Sequence, residues 1–103
     1  MKLPKISIVT VTYNCETVIE DTIKSVIAQT YPNIEYIIVD GLSKDNTLAI
    51  VERYREHIDI VLSEKDKNNY DAMNKGMRVA TGDYIWFLHA GDIAESPTVL
   101  EEA

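Results

Sequence analysis

The sequence is poor in the features that mark several large protein classes. It holds one cysteine, Cys15, which excludes an internal disulfide and a zinc site built on cysteines. With 17 acidic residues against 10 basic ones and a net charge of −7, it has no Lys/Arg stripe of the kind that grips a nucleic-acid backbone, so no nucleic-acid partner is expected. No apolar run approaches the roughly 20 residues of a transmembrane segment. The first residues lack the apolar stretch of a secretory leader, and a cytoplasmic, reducing compartment is the expectation. Neither G-x-G-x-x-G after the first strand nor G-x-x-x-x-G-K-[ST] occurs, which removes the dinucleotide fingerprint and the P-loop. No G-x-S-x-G marks a serine nucleophile. Cys15 has no histidine nearby in sequence to activate it and reads as a small residue before the first helix.

What is present is an ordinary core-forming chain. Its 103 residues, 46% of them hydrophobic, suit a single domain spanning 1–103. Apolar runs and amphipathic segments alternate. Ile6 to Tyr13 predicts a strand buried on both faces. Thr17 to Thr30 predicts a helix, with Val18, Ile19, Thr22, Ile23, Val26 and Ile27 as its apolar stripe and Pro32 beyond its end. Glu35 to Asp40 is a second strand. Asp45 is placed to cap a helix through about Glu56 that turns Leu48, Val51 and Tyr54 to one side. Ile58 to Ser63 is a third strand, and Lys65 to Asn69 a polar loop. A third helix from about Tyr70 to Ala80 has Met73, Met77 and Ala80 on its apolar face, closed by Gly82 in the left-handed position past a helix end. Tyr84 to Leu88 is the fourth strand, and Pro97 opens a last helix that runs to Ala103. This βαβαβαβ order with short connections predicts an α/β fold: a Rossmann-like, mostly parallel sheet with flanking helices.

Two of these strands end in a carboxylate. Tyr36-Ile37-Ile38-Val39 stops at Asp40, and Tyr84 to Leu88 runs into His89-Ala90-Gly91-Asp92, while the first strand ends in Thr12-Tyr13-Asn14. In parallel order, all three tails reach the carboxyl edge of one sheet, where open α/β sheets bind ligands. Two acids there suggest a site built around a cation and a phosphate-bearing substrate. Asp40 fits two roles, an Asx-type turn into Gly41-Leu42-Ser43 or an acceptor for a base N–H or ribose hydroxyl. Asp92 fits a loop residue or a ligand for a divalent cation shared with phosphate oxygens. His89 fits a second metal ligand, a phosphate contact or a polar group where the strand emerges. Asp71, Asn74, Lys75 and Arg78 share one helix face. That face is either solvated, or its first turn meets the ligand with Tyr70, Asp71 and Asn74, leaving Lys75 as a point charge for a phosphate. His57 reads as a surface residue at a helix end.

In order along the chain, Ser7 to Asn14, Ser25 to Asn33, Glu35 to Gly41 with Ser43, Asp45 and Thr47, Tyr70 to Gly76, Ala80 to Tyr84, and Phe87 to Asp92 resemble the motifs of family 2 glycosyltransferases. The resemblance covers essentially the whole chain, and six motifs in register are specific. It implies the GT-A fold, a nucleotide diphosphate sugar as donor, a saccharide or lipid-linked acceptor, and a divalent metal, Mn or Mg. By the same resemblance Val11, Tyr13 and Asp40 contact the nucleotide base, Asp71, Asn74 and Lys75 complete its pocket, and Asp92 is the last acid of the D-x-D motif at the metal. The usual Asp-Asp-Gly-Ser reads Asp40-Gly41-Leu42-Ser43, so its second acid is missing, and the D-x-D position reads His89-Ala90-Gly91-Asp92. Family members are much longer and carry the acceptor site and catalytic base in their second half. The chain is therefore expected to be the truncated, donor-binding portion. The catalytic base is expected beyond Ala103, and no residue up to that point is nominated for the role. The implied setting is polysaccharide biosynthesis at the cytoplasmic membrane face, with self-association open to it through faces the second half would cover.

Two other readings compete. A binding or assembly module would keep the fold without turnover, and transfer by this chain would exclude it. A phospho-accepting receiver domain needs an acidic pair after its first strand, where Thr12-Tyr13-Asn14 stands instead.

Overall fold

The computed structural model describes residues 4–65 and 68–90. Among them, four strands form one parallel sheet in the order β3-β2-β1-β4. The strands are β1 (Ile6–Thr12), β2 (Ile34–Asp40), β3 (Ile60–Ser63) and β4 (Tyr84–Phe87), connected through α1 (Ile19–Ile27), α2 (Thr47–Arg53) and α3 (Asn69–Val79). The chain steps outward from β1 to β2 to β3, then returns through α3 to place β4 on the opposite side of β1. The sheet therefore reverses its direction of growth between β1 and β4, the topological switch point at which such folds bind ligands.

Strand alternation divides the core in two. Ile8, Tyr36 and Ile38 face α1 and α2 and pack with Ile19, Ile23, Val26 and Val51. Val9, Val11, Ile37 and Val39 face α3 and pack with Ala72. Both central strands are buried on each face, as their unbroken apolar runs predict. Within the first layer, the buried Tyr36 hydroxyl lies 3.1 Å from Thr10 Oγ1. Burial pushes its pKa up to about 12 against the opposing pull of Thr10, so the phenol stays neutral in the core.

The elements match the expected order, with local differences. Helix α1 starts at Ile19, because the carbonyl of Cys15 accepts from the amides of Val18 and Ile19 and turns the chain first. Val18, expected on the apolar stripe, is consequently exposed. Helix α2 ends at Arg53 and tightens into a 3₁₀ turn over Arg55–His57, and Leu48 is half-buried while Val51 is fully enclosed. Ile58 enters the core ahead of β3 rather than inside it. On α3, Ala72 and Gly76 are buried against the sheet and Met73, Val79 and Ala80 pack partly buried beside them, so Met73 and Ala80 lie on the expected apolar face, whereas Met77 is exposed. Small residues take the inner face because α3 lies so close to β1 that a Cβ on Gly76 would collide with Val9.

Gly82 does not occupy the left-handed region. Its place is set by space: a Cβ there would stand 2.5 Å from Ser7 Oγ, 2.8 Å from Ser7 N and 2.9 Å from the Lys5 carbonyl. The final helix expected from Pro97 to Ala103 lies outside the described residues.

Candidate functional site

The parallel register sets Thr12 directly opposite Asp40 at the carboxyl edge. Asp40 is fully buried, and a buried carboxylate needs its lone pairs satisfied. Three donors meet it: Thr12 Oγ1 and Ser43 Oγ each reach Oδ1 at 2.6 Å, and the Ser43 amide reaches Oδ2 at 2.8 Å. The loop after β2 is thus wound around its own strand-end acid, as the Asx-turn reading of Asp40 expects. The loop after β1 is fastened to it. Asn14 donates its amide to Ser43 Oγ at 2.9 Å and accepts from the Lys44 amide at 2.7 Å, while the Gly41 amide donates to the Thr12 carbonyl at 2.9 Å.

This interlocking carries backbone strain. Asn14 has φ 47° and Leu42 has φ 62°. Asparagine tolerates the left-handed region, whereas a branched leucine is uncommon there. Such strain persists only where surrounding bonds over-determine the backbone, and it concentrates at functional sites.

Farther from the edge, Asp45 accepts from Thr47 N at 3.0 Å and from Glu16 N at 3.1 Å, tying the start of α2 to the loop before α1. It does so one residue before the N-cap position, which Asn46 occupies. Burial would push the Asp45 carboxyl up, but the Thr47 and Glu16 bonds outweigh it and hold it below its ordinary value.

Beside these tied loops lies an open cavity of about 640 Å³. The tail of β1 walls it with Val11, Thr12 and Tyr13, followed by Cys15 and then Gly41 from the β2 loop. His89 and Ala90 enter from the end of β4, and Lys65, Asn68 and Ala72 from the connection into α3. Hydrogen bonds from the Leu88 amide to the Val9 carbonyl (2.9 Å) and from the Ala90 amide to the Val11 carbonyl (3.4 Å) carry the β4 side past the strand proper. Tyr13, 59% exposed at the rim, presents an aromatic face to solvent. Burial pushes the Cys15 thiol up, partly opposed by its hydrogen bond with Thr47, so it stays a protonated thiol in keeping with its passive role.

Of the residues singled out from sequence, Val11, Tyr13 and His89 line the cavity, and Asp40 sits behind Gly41 as its brace. Asp71, Asn74 and Lys75 do not line it. Asn74 is exposed, and the Lys75 ammonium is held by Glu64 (3.2 Å), Asp71 (3.5 Å) and the Lys65 carbonyl (2.9 Å). Asp92 lies outside the described residues, and so does Ala103, beyond which the catalytic base is expected. Among the described residues no three of His, Cys, Asp and Glu converge as a metal site, and His89 stands in the cavity wall. Sequence reasoning passed over Lys65 and Asn68. The available signal for Asn68 was its place three residues before Asp71, whose amide it caps through Oδ1 at 2.9 Å.

The family model described as glycosyl transferase family 2 matches residues 7–102. The chain belongs to this family. Among its relatives is an uncharacterized glycosyltransferase of Mycobacterium tuberculosis, MT1564, 39% identical over 97% of this chain and 38% of its own length. Another is the Escherichia coli UDP-Glc:alpha-D-GlcNAc-diphosphoundecaprenol beta-1,3-glucosyltransferase WfaP, 38% identical over 84% of this chain and 35% of its own. The family 2 fold is borne out by solved structures. S. aureus TarS in complex with UDP-GlcNAc superposes with TM-score 0.88 at 28% identity, covering 95% of this chain and 29% of TarS. The mannosyltransferase PcManGT of Pyrobaculum calidifontis, in complex with GDP-Man and Mn2+, gives 0.85 at 26% identity, covering 91% of this chain and 29% of its own. The chain therefore spans little more than a third of the curated relatives it matches. The sheet is of the GT-A type those structures share.

Proposed function

We propose that the cavity at the carboxyl edge is the donor site of a glycosyltransferase and takes the nucleotide of a nucleotide diphosphate sugar. One observation carries this reading: the cavity opens at the switch point between β1 and β4, walled by the strand-end residues that match the family. In support, TarS was solved with UDP-GlcNAc and PcManGT with GDP-Man and Mn2+. Val11 and the rim residue Tyr13 flank the base. Asp40 fixes the loop that forms the floor. Its carboxylate accepts from Thr12 and Ser43 and is fully enclosed, so in this reading it shapes the base pocket through that loop. Asp71, Asn74 and Lys75 belong to the segment that closes the pocket.

The ion in this reading is Mn or Mg; Asp92, with His89 as a second donor, would hold it, and it would supply positive charge to offset that of the donor's diphosphate. The chain's own residues position the donor by shape and hydrogen bonding for direct displacement at the anomeric carbon. The base that would activate the acceptor is assigned to no residue up to Ala103. The acceptor in this reading is a saccharide or a lipid-linked saccharide, the latter in line with the lipid diphosphate in the name of WfaP. The place of action is the cytoplasmic face of the membrane in polysaccharide biosynthesis. Among the described residues no helix is long and apolar enough to cross a membrane.

A second reading, a nucleotide-sugar-binding module without turnover, is favoured by one feature: a histidine, His89, stands where the D-x-D motif begins. A transfer assay separates the two.

Calorimetric titration with UDP and GDP, with and without manganese, tests the site. The expected result is binding of one of them, strengthened by the metal, with the metal dependence lost in Asp92→Ala. Binding of neither overturns the donor-site reading.

A further inference from the structure

Lys75 sits where a phosphate-binding lysine was expected, yet its surroundings give it other work. Its ammonium lies 3.2 Å from Glu64 Oε1 and 3.5 Å from Asp71 Oδ2, and donates to the Lys65 carbonyl at 2.9 Å. Its side chain is 13% exposed. An ammonium carries three N–H donors, so one lysine can serve several acceptors at once. All three belong to one connection: Glu64 and Lys65 follow β3 directly, and Asp71 lies in the first turn of α3. The same connection supplies Lys65 and Asn68 to the cavity wall, with Ala72 just beyond, and Asn68 caps Asp71.

We propose that Lys75 is a positioning residue for the donor site: it draws the end of β3 and the start of α3 together, and so holds the wall residues Lys65 and Asn68 in place without touching the nucleotide. The inference rests on the cavity being that site. Electrostatics support it. Without the ammonium, Glu64 and Asp71 are two carboxylates gathered around the same point, and like charges there push the connection open. A phosphate reaching Lys75 would have to displace partners from a largely desolvated cation, which is costly when the partners left behind are themselves charged.

The test is Lys75→Met, read by amide hydrogen exchange without nucleotide and by titration with uridine and UDP, or with guanosine and GDP if those are the ligands. Exchange at residues 64, 65 and 68–72 is expected to quicken about tenfold, reporting easier local opening. The nucleoside and its diphosphate should both weaken by the same factor, about tenfold. Unchanged exchange overturns the inference. So does weaker diphosphate binding with nucleoside binding intact, the signature of a direct phosphate contact. A second variant guards against misfolding: Glu64→Gln with Asp71→Asn removes the charged partners and leaves the lysine. Positioning predicts the same losses, whereas a phosphate-binding Lys75, released from its ion pairs, would bind the diphosphate more tightly. If the parent binds no nucleotide at all, the donor-site reading fails, and the exchange measurement still decides whether Lys75 holds the connection.

Discussion

Strand β2 carries a buried carboxylate near its start, Glu35, and another at its end, Asp40, and the two do different things. At each end a β1 hydroxyl in direct register meets the acid: Ser7 Oγ donates to Glu35 at 2.8 Å and Thr12 Oγ1 to Asp40 at 2.6 Å. Around Glu35 the rest of the shell is closed. Thr81 donates both its amide (2.8 Å) and its hydroxyl (2.9 Å), and Lys5 lies 3.6 Å away. The Gly82 amide completes the knot on Ser7 Oγ at 2.9 Å. Around Asp40 the donors come from a strained loop with a cavity on its far side. A strand-end acid is therefore not a site by itself. The same bond pattern is a clasp where backbone packs against it and a site brace where the chain leaves an opening.

Removing the clasp should have the largest effect. Glu35→Ala strands the Ser7 hydroxyl and the Thr81 donors and should cost about 3 kcal/mol in urea denaturation, with nucleotide affinity of the folded protein unchanged. Gly82→Ala attacks the same knot through backbone, since its methyl meets Ser7 N and the Lys5 carbonyl. It should cost about 2 kcal/mol, again without an affinity change. At the other end the balance reverses. Asp40→Asn puts an amide donor or a weaker acceptor against the Ser43 amide. The expected loss is about 1 kcal/mol of stability but more than about tenfold in nucleotide affinity by titration. Comparable affinity loss from both ends would dissolve the distinction.

Acid titration sharpens it further. Burial would push the Glu35 carboxyl up, but hydrogen bonds from Thr81 and Ser7, with Lys5 nearby, outweigh it and hold it below its ordinary value. A depressed folded value means the clasp contributes fully above the unfolded carboxylate value of about 4.3 and fades as pH falls through the folded one. Urea midpoints between pH 6 and pH 3, about the span of that transition, should fall less steeply in Glu35→Gln than in the parent. The smallest effect belongs to a residue at neither end: Met77→Gln, on the exposed side of α3, should change stability by less than about 0.5 kcal/mol.

These contrasts also show what a sequence can reveal. The strand order and the two-layer core follow from runs such as Tyr36 to Val39, whose burial on both faces needs helices above and below. The position of Asp40 and Tyr13 at the carboxyl edge was legible because each ends an apolar strand run, and the turn that Asp40 makes with Ser43 was one of the two roles the sequence offered it. Glu35 was missed because it lies at the start of a strand rather than at its carboxyl end, and its partners Ser7 and Thr81 are far from it in sequence. Met77 was misplaced because helical spacing alone offers several apolar faces; the close approach of Gly76 to Val9 decides which one turns inward. Lys75 was legible as a cation on the right helix. Its engagement by Glu64 and the Lys65 carbonyl depends on where β3 ends in space, which no local pattern encodes.

The most direct test of the donor site is a residue-resolved titration of the chain with UDP and GDP by amide NMR. The account predicts shifts at Val11 to Asn14, Gly41 to Ser43 and His89 to Ala90, with Ser7, Glu35 and Thr81 to Asp83 unmoved. Shifts centred on the Glu35 end, or none with either nucleotide, would contradict it.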